Sequence, residues 1–199
     1  MSYNGGKNGS GVFQKIISMM PPHSAYFELF LGHGAILRKK KPAKENFGVE
    51  IDEALRDFWN ENKNAATNII FGDAFDFLAS RQFQPDNLIY LDPPYLFSTR
   101  LSKGKLYNFE MMDESSHIRL LEIILKLNCM VMISGYDSEI YNNYLKDWRK
   151  ESFTTTDRAN NLRIETVWMN FPQPFELHDY SFLGKNWRER DRIKIGRAH

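Results

Sequence analysis

The sequence predicts an α/β protein in which a largely parallel sheet is covered by helices on both faces. Short apolar runs, many of them β-branched or aromatic, alternate with longer segments of helical periodicity. This alternation is typical of parallel strands joined by crossover helices. The runs at 88–91 and 130–133 are almost continuously apolar, as expected for strands buried on both faces. With 199 residues and 42% hydrophobic content, the chain is long enough for one domain with a substantial core.

Five strands and four helices are predicted before residue 150. The strands are 25–31, 46–51, 68–71, 88–91 and 130–134. The helices are 35–40, 53–63, 75–80 and 114–127, the last with Ile118, Leu121 and Leu125 on one apolar face. Beyond residue 150 the alternation stops. There, 165–171 reads as a strand with no helix after it, which predicts an antiparallel hairpin with 152–156 at the end of the sheet.

Composition and charge exclude several classes of protein. A formal net charge of +1 and an aromatic content of 14% argue against a polybasic nucleic-acid-binding chain and against intrinsic disorder. The single cysteine, Cys129, rules out an internal disulfide and a multi-cysteine metal site. No apolar run approaches the ~20 residues that span a bilayer, and the first residues lack the hydrophobic stretch of a secretory signal. We therefore expect a cytoplasmic protein with no membrane partner and no bound metal.

Two segments concentrate positive charge. Residues 38–45 hold five basic side chains against Glu45, and this pattern favours a solvated surface. Residues 185–199 hold six basic side chains against two acidic ones, with Phe182 and Trp187 nearby. Because aromatic and basic residues are interleaved there, this second segment is either a solvated surface or a nucleic-acid contact.

The strongest functional signal is Asp92-Pro93-Pro94-Tyr95, directly after the predicted strand 88–91. Ligands of open parallel sheets bind beyond the carboxyl ends of the strands, and two successive prolines restrict the backbone around them. The motif would project a carboxylate, a backbone carbonyl and an aromatic ring into a cleft. Taken alone, the same residues are also explained by a proline turn that ends a buried strand.

A second group of residues lies at the ends of three other predicted strands. Phe30-Leu31-Gly32-His33-Gly34 follows the first strand, and glycines there allow a ligand to approach the backbone closely. About 20 residues further on, Glu50 ends the second strand, where a carboxylate can accept hydrogen bonds from ribose hydroxyls. Asp73 ends the third. The pattern suits a nucleoside-bearing cofactor better than a triphosphate, because no glycine-rich loop ends in Lys-Ser or Lys-Thr.

Together with Gly5-Gly6-Lys7, these motifs resemble the Dam-like DNA adenine methyltransferases over residues 3 to about 172. The resemblance implies a class I, Rossmann-like fold: a seven-stranded, mostly parallel sheet with an antiparallel last strand. It also implies S-adenosyl-L-methionine as cofactor and adenine in DNA as substrate. Cofactor contacts are implied for Tyr3, Lys7, Phe30, Gly32, Gly34, Glu50 and Asp92, and less directly for Asp73. His33 replaces the usual small residue and can narrow the loop, and Glu50 stands where Asp is commoner.

The chemistry of adenine methylation explains why this motif is needed. The exocyclic amine is a poor nucleophile, because its lone pair is delocalised into the ring. If Asp92 and the Pro93 carbonyl accept its two hydrogens, the lone pair is freed to attack a sulfonium methyl group, and fixed acceptors stabilise the charge that grows on the nitrogen. Tyr95 would stack on the base, which must be flipped out of a duplex to be reached. Asp92, Pro93 and Tyr95 are therefore the candidate catalytic residues.

The spacing of the motifs predicts how the nucleic acid is read. Positions 34 and 92 are only 58 apart, which leaves no room for the helical recognition domain that resembling enzymes insert there. We therefore expect relaxed or very short sequence preference, with affinity dominated by phosphate contacts, on DNA that is flexible or single-stranded. The candidate nucleic-acid contacts are Arg100, Lys103, Lys105, Lys185, Trp187, Arg188 and Arg190. Residues 1–175 would form the methyltransferase domain and 176–199 a basic extension.

Two other functions stay open at this point. An RNA adenine methyltransferase of the same fold would share the base chemistry, and only contacts to the 2′-hydroxyl would distinguish it. A catalytically inactive nucleic-acid-binding module would also use the fold, but the intact Asp92, glycine loop and Glu50 argue against it. A small methyltransferase without a recognition domain is compatible with a phage or other mobile-element origin, including restriction-modification systems.

Overall fold

The computed structural model describes residues 11–94, 113–156, 162–184 and 188–189, which contain a seven-stranded sheet. Its strand order is β3-β2-β1-β4-β5-β7-β6. The two pairs that β7 forms, with β5 and with β6, are antiparallel, and the other pairs are parallel, so the predicted fold class is confirmed. The strands are β1 Ala25–Leu29, β2 Glu45–Glu50, β3 Thr67–Phe71, β4 Asn87–Leu91, β5 Met130–Gly135, β6 Arg149–Thr156 and β7 Leu162–Met169.

Helices cover both faces of the sheet. They are α1 Val12–Ile17, α2 Ala35–Lys39, α3 Arg56–Asn62, α4 Ala74–Ser80, α5 Glu114–Ile124 and α6 Glu139–Tyr144, and the 3₁₀ turn Glu53–Leu55 precedes α3. Because successive side chains of a strand point to opposite faces, β1 sends Tyr26 to the layer of α1–α3 and Phe27 to the layer of α4–α6. No helix among the described residues is long and apolar enough to cross a bilayer.

The boundaries differ from the prediction in a few places, each with a local cause. The first strand ends at Leu29 rather than at residue 31, because Phe30 adopts a left-handed backbone conformation with φ 59°. The predicted hairpin is present, but β7 begins and ends earlier than 165–171 and β6 starts before 152. Helices α1 and α6 were not predicted, and the predicted helix 53–63 divides into the 3₁₀ turn and α3.

The order of the strands in the sheet changes direction between β1 and β4. These two strands pair in parallel, with Ala25 opposite Asn87, whereas β2 and β3 lie on the other side of β1. At such a switch point the crossover connections leave to opposite sides, and a crevice opens at the carboxyl ends of the strands. The glycine loop after β1 and the proline motif after β4 therefore begin side by side.

The basic segment 38–45 is solvated except at Lys40. That side chain is only 4% exposed, its ammonium lies 4.3 Å from the centre of the Tyr26 ring, and it donates a hydrogen bond to the carbonyl oxygen of Lys41. Burial lowers the pKa of Lys40 to about 8. One member of the cationic run is therefore part of the core on the α1–α3 side.

The described part of the predicted extension packs against the same layer of helices. The backbone N–H of His178 donates to the carbonyl oxygen of Met20 at 2.9 Å, and Asp179 accepts from the backbone N–H of Lys41 at 2.8 Å. The ring of Phe182 meets that of Phe13 edge-on, with centroids 5.3 Å apart. The chain is thus held against α1 and the end of α2 up to the point where the predicted basic segment starts.

Candidate active site

The loop after β1 is held in an unusual backbone conformation. Phe30, Gly32 and Gly34 have φ values of 59°, 52° and 54°, a region that is costly for a bulky residue such as phenylalanine. Both main-chain polar groups of Gly32 are engaged: its N–H donates to Glu50 Oε2 at 2.5 Å, and its carbonyl accepts from Trp59 Nε1 at 2.9 Å. Strain of this kind concentrates at binding sites, where neighbouring bonds maintain it.

Gly34 is required by the indole of Trp59. A Cβ atom at position 34 would lie 2.4 Å from Trp59 Cη2, well inside van der Waals contact. Trp59 is 1% exposed and its ring nitrogen is bonded to the same loop, so the indole has little freedom to move away. The sequence singled out the glycines for a ligand's approach, but at Gly34 the close neighbour is a protein side chain.

Glu50, at the end of the neighbouring strand β2, binds the backbone of the glycine loop. Its carboxylate is 4% exposed and accepts from the backbone N–H of Gly32 on one oxygen and from that of Asp52, at 2.8 Å, on the other. Burial raises its pKa, and the two backbone donors oppose this rise. Ile51, directly after it, is 39% exposed, which makes it an apolar surface beside the carboxylate that sequence reasoning did not identify.

Asp73 has a structural role at the end of β3. Its side chain caps α4, where Oδ1 accepts from the backbone N–H groups of Phe75 at 2.6 Å and Asp76 at 3.3 Å. Both bonds go to the same oxygen, and no donor in the described part of the chain reaches Oδ2. The cap and the expected contact to a cofactor are therefore compatible.

Asp92 lies next to Leu29, the residue after which the glycine loop begins. Its backbone N–H points at the carbonyl oxygen of Leu29, 3.4 Å away, and Leu29 directly precedes Phe30. Its side-chain Oδ1 accepts a hydrogen bond from Ser134 Oγ at 2.9 Å, at the end of β5. Pro93 is buried and Pro94 half-buried, so this part of the motif is packed on the sheet while the half-buried Asp92 stands at the end of β4.

A buried acidic group lies within electrostatic range of this carboxylate. Glu28, on the middle strand β1, is 3% exposed and accepts from the hydroxyl of Tyr26 at 2.9 Å. Burial raises the pKa of Glu28 to about 8, and the nearby Asp92 charge raises it further, whereas the Tyr26 hydroxyl and Lys40 act in the opposite direction. Sequence reasoning missed Glu28, because a glutamate inside an apolar strand gives no motif.

This raised pKa predicts a pH-dependent stability that Glu28→Gln removes. Folded Glu28 keeps a proton that the unfolded chain releases between its ordinary pKa of 4.5 and about pH 8. The contribution of Glu28 to the free energy of unfolding therefore falls as pH rises through this window, by an amount on the order of 3 kcal/mol. Buried His23, whose pKa is lowered to about 3, acts in the opposite direction below its ordinary pKa, but it does so in wild type and variant alike. The difference in free energy of unfolding between the wild type and Glu28→Gln, measured by urea unfolding, should therefore fall between pH 5 and pH 8.

The control for this measurement is Glu122→Gln, an exposed glutamate on α5, whose profile should run parallel to that of the wild type. Measurements stop at pH 8, because the pKa of Lys40 is also about 8 and its loss of a proton dominates above that pH. A Glu28→Gln profile as steep as the wild-type one would contradict the assignment of the proton to Glu28.

The structure brings seven of the predicted site residues to the carboxyl ends of four neighbouring strands: Phe30, Gly32, Gly34, Glu50, Asp73, Asp92 and Pro93. Arg188 is described and exposed. His33 packs against Phe58, with ring centroids 4.5 Å apart, so its ring is directed to α3. Other predicted site residues lie outside the described part of the chain: Tyr3, Lys7, Tyr95, Arg100, Lys103, Lys105, Lys185, Trp187 and Arg190.

Comparison with known proteins gave one family and several similar folds. Residues 49–162 match the family described as D12 class N6 adenine-specific DNA methyltransferase. No curated protein matches the chain in sequence. The N-methyltransferase NodS from Bradyrhizobium japonicum WM9 has a TM-score of 0.56 at 13% identity, over 80% of this chain and 93% of that one.

Two further solved structures share the fold at the same low identity. The 23S rRNA methyltransferase ErmE has a TM-score of 0.51 at 13% identity, over 97% of this chain and 84% of that one. A dimethyladenosine transferase from Plasmodium falciparum has a TM-score of 0.52 at 13% identity, over 84% of this chain and 63% of that one. At this identity the likeness shows the fold alone.

Proposed function

Because the chain belongs to the D12 class N6 adenine-specific DNA methyltransferase family, we propose that it methylates the exocyclic amine of adenine in DNA. The methyl donor of this family is S-adenosyl-L-methionine, and adenine is the base it modifies. The observation that carries the proposal is the position of Asp92, whose backbone contacts the residue preceding the glycine loop. A carboxylate suited to bind the amine of adenine thus lies beside the loop suited to bind the methyl donor.

The residues present fit S-adenosyl-L-methionine. The molecule carries hydroxyl and amine donors and a positive sulfur, so it requires acceptors and negative charge. Carboxylates stand at the carboxyl ends of three parallel strands of the sheet: Glu50 on β2, Asp73 after the adjacent β3, and Asp92 after β4, which β1 separates from β2. Each Glu50 oxygen already accepts one backbone N–H and has capacity for a second donor. The exposed Ile51 offers an apolar contact beside them.

In the proposed mechanism the chain's own residues prepare the amine. When bound, S-adenosyl-L-methionine supplies an electrophilic methyl group. The Asp92 carboxylate and the Pro93 carbonyl oxygen accept the two amine hydrogens, which directs the nitrogen lone pair toward the methyl carbon. Because Asp92 and Pro93 directly follow a central strand and Pro93 is buried, both acceptors are in place before the substrate arrives, and such preorganisation stabilises the transition state more than the ground state. Tyr95 is proposed to stack on the flipped base.

The proposal is tested with methyl-labelled S-adenosyl-L-methionine and separate pools of DNA and RNA of mixed sequence. We expect label in the DNA pool, recovered after digestion as N6-methyladenine. Label confined to the RNA pool would identify RNA rather than DNA as the substrate, since adenine carries the same exocyclic amine in both. Label in neither pool, with cofactor binding intact, would favour a binding module without catalysis.

We also propose that the enzyme reads little sequence around its target. The interval from residue 35 to 91 is fully accounted for by α2, β2, the 3₁₀ turn, α3, β3, α4 and β4, so it holds no separate recognition domain. Affinity would then come mainly from phosphate contacts, and it would weaken steeply with salt. Methylation mapped on a mixed-sequence duplex and on the matching single strands should show many modified contexts. Modification confined to one four-base site would contradict this proposal.

Replacing Glu50 by Gln should weaken cofactor binding about 10- to 100-fold. The amide offers one acceptor instead of two, so its NH₂ group faces the backbone N–H of Gly32 or of Asp52, and one of these buried donors loses its partner. The glycine loop, or the backbone at Asp52, then loses its hydrogen bond to residue 50. One acceptor for the ribose hydroxyls is also lost. Isothermal titration of the variant with S-adenosyl-L-methionine gives the dissociation constant.

Glu53→Gln is the matched control for this titration. Glu53 lies three residues away and pairs with Arg56 on the surface, so its replacement should leave cofactor affinity unchanged. A folded Glu50→Gln protein with wild-type affinity would show that Glu50 takes no part in holding the cofactor.

A further inference from the structure

The Asp92 side chain is held by a hydroxyl from the next strand. Ser134 lies at the end of β5, one residue beyond the pair formed by Leu91 and Ile133, and it is fully buried. Its Oγ is 2.9 Å from Asp92 Oδ1 and 3.4 Å from the carbonyl oxygen of Leu91. A hydroxyl has one hydrogen to give, and the shorter contact, to a carboxylate, is also the stronger one.

A second hydroxyl fixes the direction of this contact. Tyr90 OH lies 2.9 Å from Ser134 Oγ, and Tyr90 is also fully buried. Because a carboxylate only accepts, Ser134 gives its hydrogen to Asp92, and the hydrogen between Tyr90 and Ser134 must come from Tyr90. The three groups form a chain of two hydrogen bonds, in which Tyr90 donates to Ser134 and orients it, and Ser134 donates to Asp92 and orients it.

We propose that Ser134 and Tyr90 are positioning residues for methyl transfer, which hold the Asp92 carboxylate in the orientation that accepts the amine hydrogen. This inference rests on the proposed function. Without the Ser134 hydroxyl, the carboxylate loses the hydrogen bond that orients its Oδ1 atom. Misplacement of a catalytic group by about 1 Å can lower the rate of the chemical step about 100-fold.

The test compares Ser134→Ala, Tyr90→Phe and the double variant under single-turnover conditions. We expect the single-turnover rate of transfer to fall about 10- to 100-fold in Ser134→Ala and several-fold in Tyr90→Phe. The KM values for cofactor and for nucleic acid, measured separately at steady state, should change less than about twofold. Because Tyr90 acts through Ser134, the double variant should be no slower than Ser134→Ala alone, and such non-additivity is expected only for coupled residues.

Thr166→Val is the control for the loss of a buried hydroxyl. Thr166 is fully buried on β7, opposite Gly135, and its hydroxyl bonds to Ser152 rather than to Asp92, so the rate of transfer should stay near that of the wild type. Equal slowing of Thr166→Val and Ser134→Ala, or additive effects of Ser134→Ala and Tyr90→Phe, would overturn the positioning role. A wild-type protein that transfers no methyl group would instead overturn the proposed function, and the inference with it.

Discussion

Asp92→Ala should lower the rate of methyl transfer about 1,000-fold while leaving most of the affinity for nucleic acid. The change removes an acceptor for the amine, but it leaves the phosphate contacts that we expect to dominate binding. It also leaves Ser134 with a second acceptor, the carbonyl oxygen of Leu91, so the fold should persist. Rates are measured with labelled cofactor, and affinity is measured by fluorescence anisotropy of a labelled oligonucleotide.

Asp147→Ala serves as the control for this experiment, since Asp147 is an exposed aspartate outside the sheet and its loss should change neither quantity. Circular dichroism of both variants verifies that they are folded. If Asp92→Ala lost rate and affinity by the same factor, Asp92 would hold the fold or the nucleic acid rather than the amine.

Gly34→Ala should destabilise the protein by about 3 kcal/mol and weaken cofactor binding in the molecules that remain folded. Two costs add up at this position: an L-residue is strained at φ 54°, and its Cβ would overlap the ring of Trp59. To relieve the overlap, Trp59 must move, and its bond to the Gly32 carbonyl would be lost. Urea unfolding monitored by circular dichroism measures the first effect, and titration with S-adenosyl-L-methionine measures the second.

Gly72→Ala provides a matched comparison. Gly72 also follows a strand of the same sheet, but a Cβ there meets nothing within 4 Å, so its replacement should cost less than about 1 kcal/mol. If the two alanine variants were equally stable, the contact between the glycine loop and Trp59 would not be what requires glycine at position 34.

Periodicity and motif spacing sufficed to predict the central strands, and they placed the candidate site at the carboxyl ends of those strands. The strands carry apolar side chains toward both layers of helices, so their sequences are largely apolar. The glycine loop, Glu50 and Asp92 were predicted at this edge because each directly follows such a run. Their proximity in the structure follows from the topology alone, since parallel strands bring their carboxyl ends together.

The features of the structure that were not predicted depend on contacts between residues distant in the sequence, which a local pattern does not show. The loop at Phe30 ends β1 through a left-handed conformation that phenylalanine rarely adopts. Glu28 and Lys40 are charged by type and would ordinarily be placed at the surface, but each is buried by neighbours distant in the chain. Helices α1 and α6 are six residues long, so their amphipathic pattern is too short to stand out, although Ser138 caps α6 as expected for a helix start.

The pairing of β1 with β4 also bears on how the chain folds. Two strands and three helices lie between these neighbours in the sequence, and closing so long a loop costs entropy before any contact compensates for it. Such non-local pairing slows folding. Since the proposed catalytic motif follows β4 and the proposed cofactor loop follows β1, activity in a refolding experiment should return with the slowest structural phase and never ahead of it.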